Sequence, residues 1–175
     1  MGEERFYRSW VELRRLKPSE WLRLKNTIAK IEKAAFRDHE LAQNMWELRE
    51  TFRDKEAICI IAKYNNRTIG YISGRPLENY SYFVHKTKEK NMGKKNTAYI
   101  ESIAVHPDYH GNAVGWRLMK SFIREAKKDK YKFVSGNFRR GPSTYLFLLE
   151  GGRKIYATKN YAQTGEKYYY CRRKL

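Results

Sequence analysis

Cysteine is scarce in this chain. Cys59 and Cys171 are the only two in 175 residues. They are too far apart for a metal-binding pair and too few for a disulfide framework, so neither a bound metal nor a stapled secreted scaffold is expected. Long apolar runs are missing as well, and none approaches the roughly 20 residues that a spanning helix needs. The charged opening Met1-Gly2-Glu3-Glu4-Arg5 runs straight into Phe6 and Tyr7, without the apolar centre of a signal peptide. A cytoplasmic location without membrane contact is therefore the expectation. Acidic residues are also short, with 19 Asp and Glu against 37 Lys and Arg for a formal charge of +18. A field of that sign draws anions. One reading is contact with nucleic acid, the ribosome or an acidic protein. The other is a Lys-rich surface for solubility or heat tolerance, plus one small anionic ligand such as a nucleotide cofactor. The cations are scattered rather than gathered in a tail, which leaves both open.

What is present is enough for one domain over residues 1–175. Hydrophobic residues make up 41% and charged ones 32%, the mix of a folded chain. Residues 10–16 alternate partly and predict a strand. Pro18-Ser19-Glu20 predicts a helix start with Ser19 as the cap. Trp21, Leu24, Ile28, Ile31 and Ala35 then share one helical face. Residues 36–39 break it, and Leu41, Met45, Leu48 and Phe52 predict a second helix. Residues 57–62 and 68–72 flank an Asn-rich turn and predict a hairpin. The polar, aromatic and Lys-rich stretch 76–97 predicts a long loop or extended hairpin. Residues 99–105 form the clearest strand. A helix with Leu118, Met119, Phe122, Ile123 and Ala126 follows, then a strand at 131–134, a short helix at 144–149 and strands at 155–157 and 167–171. The order is β-α-α-β-β-β-α-β-α-β-β, an α/β (α+β) pattern.

The chemistry concentrates between Tyr99 and Gly115. After the strand comes His110-Gly111-Asn112-Ala113-Val114-Gly115 and then an amphipathic helix. Small residues at 111, 113 and 115 let backbone approach a ligand, and a helix N-terminus behind them offers N–H groups that suit a pyrophosphate. By itself this is also an ordinary strand-to-helix turn. The wider run Ile103-Ala104-Val105-His106-Pro107-Asp108-Tyr109-His110-Gly111-Asn112-Ala113-Val114-Gly115 resembles the acetyl-CoA signature of the GNAT superfamily of N-acetyltransferases. There, a strand ending in Ile-Ala-Val leads through Pro and an aromatic residue to Gln or Arg, two residues, Gly, one residue, and Gly or Ala. His110 stands at the Gln or Arg, and Ala113 at the first Gly, where ordinary backbone torsions would tolerate it.

The resemblance implies the GNAT fold, a mixed sheet of about seven strands flanked by about four helices, with the fourth and fifth strands splayed apart. It implies acetyl-CoA as co-substrate, with pantetheine along Ile103, Ala104 and Val105. His110, Gly111, Asn112, Ala113, Val114, Gly115 and Trp116 would hold the pyrophosphate, and Asn137 would reach in from the next strand. On a regular strand Tyr99, Glu101 and Ile103 share one face. Positions matching Tyr99 and Glu101 carry the base in several family members, so Glu101 is the candidate base and Tyr99 its neighbour. Glu101 as a structural partner of a loop Lys is equally admissible. The family's acid Tyr falls at Phe147, and Tyr145 lies about 200° round the helix, so the general acid stays open.

Ile31-Glu32-Lys33-Ala34-Ala35-Phe36 and the hairpin stretch from Asn160 to Tyr169 resemble the N-terminal protein acetyltransferase branch, which includes the ribosomal-protein alanine acetyltransferases. That implies Phe36 and Tyr161 beside a protein or peptide amine. Ala162 departs from the branch, as does the 76–97 stretch. A small-amine or aminoglycoside acetyltransferase, or a non-catalytic GNAT-fold module binding nucleic acid or a protein, are the alternatives.

Overall fold

A computed structural model describes residues 11–36, 41–85 and 88–175. Trp10 of the first expected strand, and Arg37, Asp38 and His39 of the expected break, lie outside the described residues. Seven strands and four helices follow in the anticipated order: β1 (Glu12–Arg15), α1 (Trp21–Ala35), α2 (Met45–Phe52), β2 (Ile58–Tyr64), β3 (Arg67–Pro76), β4 (Thr97–Val105), α3 (Val114–Lys128), β5 (Phe133–Arg139), α4 (Pro142–Leu149), β6 (Arg153–Thr158) and β7 (Tyr168–Lys174). The strands form one mixed sheet in the order β1-β2-β3-β4-β5-β7-β6, antiparallel except for the parallel pair β4–β5. This is the GNAT fold, α/β in class.

The apolar run 57–62 is continuous because β2 is buried on both faces. Ile58, Ile60 and Ala62 pack with Leu118, Met119 and Phe122 of α3, while Cys59 and Ile61 pack with Ile28 of α1 and Leu48 and Phe52 of α2. Both cysteines are buried and free. α1 begins without Ser19 as its cap. Pro18–Glu20 is a 3₁₀ turn, and it is Glu20 whose carboxylate accepts the Lys17 N–H at 2.9 Å. α2 starts later than Leu41, because the Asn44 side chain accepts from Trp46 and Glu47 N–H and fixes the first turn there.

The 76–97 stretch is not a free loop. It folds over one face of β5, β7 and β6 through a small core of Leu77, Tyr80, Val84, Tyr99 and Tyr170. Glu89 locks it down: its buried carboxylate accepts from Tyr170 Oη and the Arg172 guanidinium, each at 2.7 Å. The His85 N–H adds a bond of 3.0 Å to Tyr156 Oη.

Candidate active site

Two irregularities in β4 build the site. Ser73 pairs with Ser102 but Gly74 pairs with Ile100, so Glu101 has no residue opposite it and forms a β-bulge. Glycine is required at 74, where a Cβ would collide with the Tyr99 carbonyl oxygen and reach within 2.8 Å of the Phe122 ring. The bulge reverses the alternation of side chains. Before it, Ala98 and Ile100 face α3, whereas after it Ile103 and Val105 do. Ile103 therefore does not share a face with Tyr99 and Glu101. That expectation assumed an unbroken period of two, and the extra residue breaks it.

The second irregularity is the parting of β4 and β5. They pair from Thr97–Phe133 to Ile100–Gly136 and no further, although β4 continues to Val105 and β5 to Arg139. The His106 N–H bonds the Ile69 carbonyl of β3 at 2.8 Å. By the alternation of an antiparallel ladder, Ser102 and Ala104 then turn their backbone groups to β3, and Ile103 and Val105 turn theirs to the gap. Ala104 also buries its methyl against the α1 side, which leaves it nothing to offer the gap. The Val105 carbonyl is already met by His110 Nε2 at 2.8 Å.

Beyond β4, the Asn112 amide closes the loop on the carbonyls of Tyr109 (3.4 Å) and His110 (3.2 Å). Ala113 caps α3 at φ 57°, ψ 15°, and Gly111 has φ 79°. Ala113 thus has the left-handed torsions that favour glycine, so the ordinary torsions under which alanine would be tolerated there are not met. Arg117 N–H is the first to bond back, to the Ala113 carbonyl at 3.0 Å. The N–H groups of Val114, Gly115 and Trp116 belong to the open first turn. A Cβ at Gly115 would meet Leu146 at 3.4 Å and Val105 at 4.0 Å, both ordinary contacts, so the helix start has room there. Trp116 is partly exposed and donates from Nε1 to Glu150 at 2.7 Å. The polar edge of β4 and this unfilled helix start fit the amides and pyrophosphate of acetyl-CoA.

A cleft of about 320 Å³ opens where the strands part, lined by Phe36, Gln43, Tyr99, Glu101, Asn137 and Tyr161 among others. The expected base, its neighbour and both expected acceptor-side residues thus meet in one space. Glu101 forms its floor, bonded by the Thr51 hydroxyl and 3.8 Å from the Arg75 guanidinium. Burial raises its carboxyl pKa above the ordinary value, against the opposing pull of Thr51 and Arg75. Its structural partners are therefore Thr51 and Arg75, together with the side chains of Tyr80 and Gln43, rather than a loop Lys. Tyr99 is buried and stacks on Tyr80 at 4.2 Å, and its hydroxyl accepts from Asn137 Nδ2 at 3.0 Å. Burial holds its phenol neutral, with a pKa well above the usual range. Burial likewise pushes Tyr161 up to about 12.

Behind the cleft sits Glu32, buried, with one carboxylate oxygen bonded by Tyr71 Oη and the other by the Gln43 N–H at 2.8 Å. Burial raises its pKa to about 7, with the negative Glu101 adding to the shift. Thr51, Arg75, Gln43 and Tyr71 were missed by sequence reasoning. They come from α2, β3 and the segment between α1 and α2, and no local motif ties them together. On α4, Phe147 is wholly buried against Phe138, and Tyr145 is 62% exposed. Neither side chain lines the cleft.

Residues 25–139, well over half of the chain, match the acetyltransferase (GNAT) family. The chain belongs to that family. It is accordingly an acetyl-CoA-dependent N-acetyltransferase, with acetyl-CoA as co-substrate. No curated protein matches it in sequence. Among solved structures it is similar to the ribosomal-protein-S18-alanine N-acetyltransferase of Escherichia coli, at 15% identity and a TM-score of 0.70 over 94% of this chain and 93% of that one. The aminoglycoside 6'-N-acetyltransferase of Enterococcus faecium gives 9% identity and 0.70 over 93% and 96%. The yncA protein of Salmonella typhimurium, assigned as an acetyltransferase and solved with its cofactor acetyl-CoA, gives 14% and 0.71 over 95% of each chain. At these identities the likeness is one of fold, and it spans both protein and aminoglycoside acetyltransferases. Among the described residues no group of His, Cys, Asp and Glu suits a metal, and no helix is long and apolar enough to cross a membrane.

Proposed function

We propose that this GNAT enzyme acetylates a primary amine on a protein or peptide in the cytoplasm, with Glu101 as the base. The observation that carries the reading is the bulge that sets a buried carboxyl of raised proton affinity at the floor of the cleft. An amine attacks only when neutral, and a lysine ammonium with a pKa near 10.4 needs a base more than an α-amine near 7.7–8.0. Burial brings the Glu101 carboxyl closer to the amine it must deprotonate, while Thr51 and Arg75 hold it in one orientation. Tyr99 and Asn137 present neutral polar groups beside it, able to position the incoming nitrogen or a water.

Bound acetyl-CoA supplies the activated acyl group. The edge of β4 at Ile103 and Val105, with residues 111–116, orients it, and Phe36 and Tyr161 flank the acceptor. A small amine is the second reading. Phe83 of the insertion approaches Tyr161 at 6.3 Å between ring centroids, which narrows the acceptor side. Mass spectrometry after incubation with acetyl-CoA, a peptide library and an aminoglycoside panel decides between them. Modified peptide α-amines or lysines are expected. Acetylation of the small amines alone overturns the protein-acceptor reading.

A further inference from the structure

The acetyltransferase cleft lies where β4 and β5 part, and the opposite end of those strands has a different character. Residues 76–97 and 153–175 together hold twelve Lys and Arg against three acids. The fold gathers several of these cations on one face. Lys94 and Lys95 end the insertion, and the Asn96 carbonyl beside them accepts the N–H groups of Lys132 (2.8 Å) and Phe133 (3.1 Å). Lys174 pairs with Phe133 across β5 and β7, and Arg153 pairs with Arg172 across β6 and β7. Lys88 lies 5.4 Å over the ring of Tyr156, whose strand partner is Tyr170. Residues directly opposite each other in a ladder project from the same face. Lys88, Lys94, Lys95, Lys132, Arg153 and Lys174 are all exposed.

No ion pair to an acid is formed by any of these six among the described residues. Of the insertion's two acids, Glu89 is buried under Tyr170 and Arg172, and Glu78 is tied to the Lys95 backbone N–H at 2.8 Å rather than to a patch side chain. Net charge alone does not require such clustering, since α1 and α3 carry their own solvent-facing cations. We propose that this face binds the phosphate backbone of a single-stranded polynucleotide, independently of the acetyl-transfer cleft. A protein partner fits it poorly, because interface cores rest on aromatic and apolar anchors and are depleted in Lys. Trp46 lies on α2 and Phe83 at the cleft, and among the described residues the other large exposed apolar side chains of these two segments are Tyr82 and Ile155. Exposed cations without an acid partner are what a chain of phosphates requires.

The test is fluorescence anisotropy of the full chain with labelled 20-nucleotide uridine RNA and its deoxyuridine counterpart, between 50 and 200 mM salt. Six neutralised phosphates on a single strand give a slope of log K against log salt of about −4. The K94E/K95E/K132E/R153E variant should bind at least about tenfold more weakly and lose roughly three units of slope, with acetyl-CoA turnover unchanged. A matched reversal on α1 and just before it, K17E/K25E/K30E/K33E, should keep the affinity. Should the patch variant misfold by circular dichroism, K94A/K95A replaces it, with a slope reduced by about 1.4. Binding of either strand supports the proposal, and preference for RNA assigns the 2′-hydroxyl-bearing strand. Equal loss in the patch and α1 variants overturns it in favour of diffuse charge. Tighter binding to poly-glutamate or to phosphatidylserine vesicles than to either strand overturns it in favour of an acidic protein or a membrane surface.

Discussion

The two halves of the active site are made differently. The half we propose for the cofactor is one continuous stretch, β4 into the loop and α3, and it offers largely backbone: the outward groups of Ile103 and Val105, and the open turn at 114–116. The half we propose for the acceptor is a meeting of side chains from separate segments: Phe36 after α1, Thr51 on α2, Arg75 on β3, Glu101 on β4, Asn137 on β5 and Tyr161 before β7. A backbone site tolerates many side chains and fails when something bulky or of like charge intrudes on it. A side-chain site tolerates backbone drift poorly and fails by loss of a single functional group. Substitutions should separate the halves accordingly.

The largest effect is expected for Gly115→Glu, which sets a carboxylate at the open turn of α3. Calorimetry should show acetyl-CoA binding abolished while the fold survives, since the new Cβ meets only ordinary contacts, with Leu146 at 3.4 Å and Val105 at 4.0 Å. Unchanged affinity would remove the loop from the cofactor site. Glu101→Gln keeps shape and loses the base, so turnover should fall by about 10²–10⁴ with acetyl-CoA affinity intact. A full rate with an unaltered pH profile would leave Glu101 a structural partner of Thr51 and Arg75.

Glu32 sharpens the contrast through stability. Its folded pKa of about 7 lies above the ordinary value of 4.5, so the folded state binds the proton more tightly than the unfolded chain. Stability from this group is present in full below pH 4.5 and is lost as pH rises through 7. Glu32→Gln should remove that loss and raise stability at pH 8 relative to pH 5 by up to about 3 kcal/mol. Denaturant melts at the two pH values measure it, and an unchanged pH dependence would show that the carboxyl is not protonated in the fold. Tyr161→Ala should lower kcat/KM for the acceptor by about tenfold, mainly through KM, because a positioning group acts on orientation. An equal fall in acetyl-CoA affinity would erase the division between halves. The smallest change is expected for Ala113→Gly. Relief of left-handed strain of about 1–2 kcal/mol is partly offset by the greater freedom of glycine in the unfolded chain. The melting temperature should stay level or rise slightly, and a clear drop would mean that the methyl packs usefully.

The order of elements, the hairpin of β2 and β3 and the loop that opens α3 were legible in the sequence. Each rests on local information: a run of β-branched residues, a helical period, a turn of small residues. Three features were not. The bulge at Glu101 depends on Gly74, 27 positions away, yielding room to the Tyr99 carbonyl and to Phe122. The insertion looked like loop because the bonds that order it run to Tyr156, Tyr170 and Arg172, more than 60 residues on. The left-handed torsions of Ala113 are hidden from sequence because a residue's place in that region follows from the path of the chain on both sides, not from its own preference.

By itself, then, the sequence determined which segments become strands and helices and where the backbone can admit a pyrophosphate, since those follow from spacing within a dozen residues. The tertiary structure decided which way Glu101 points, that Thr51 and Arg75 hold it, that Glu32 lies buried behind it, and which of the scattered lysines share a face. Those outcomes depend on where a strand's register slips and on which distant side chains then meet. Proton affinity and charge clustering are properties of such meetings, and no single segment of the chain contains them.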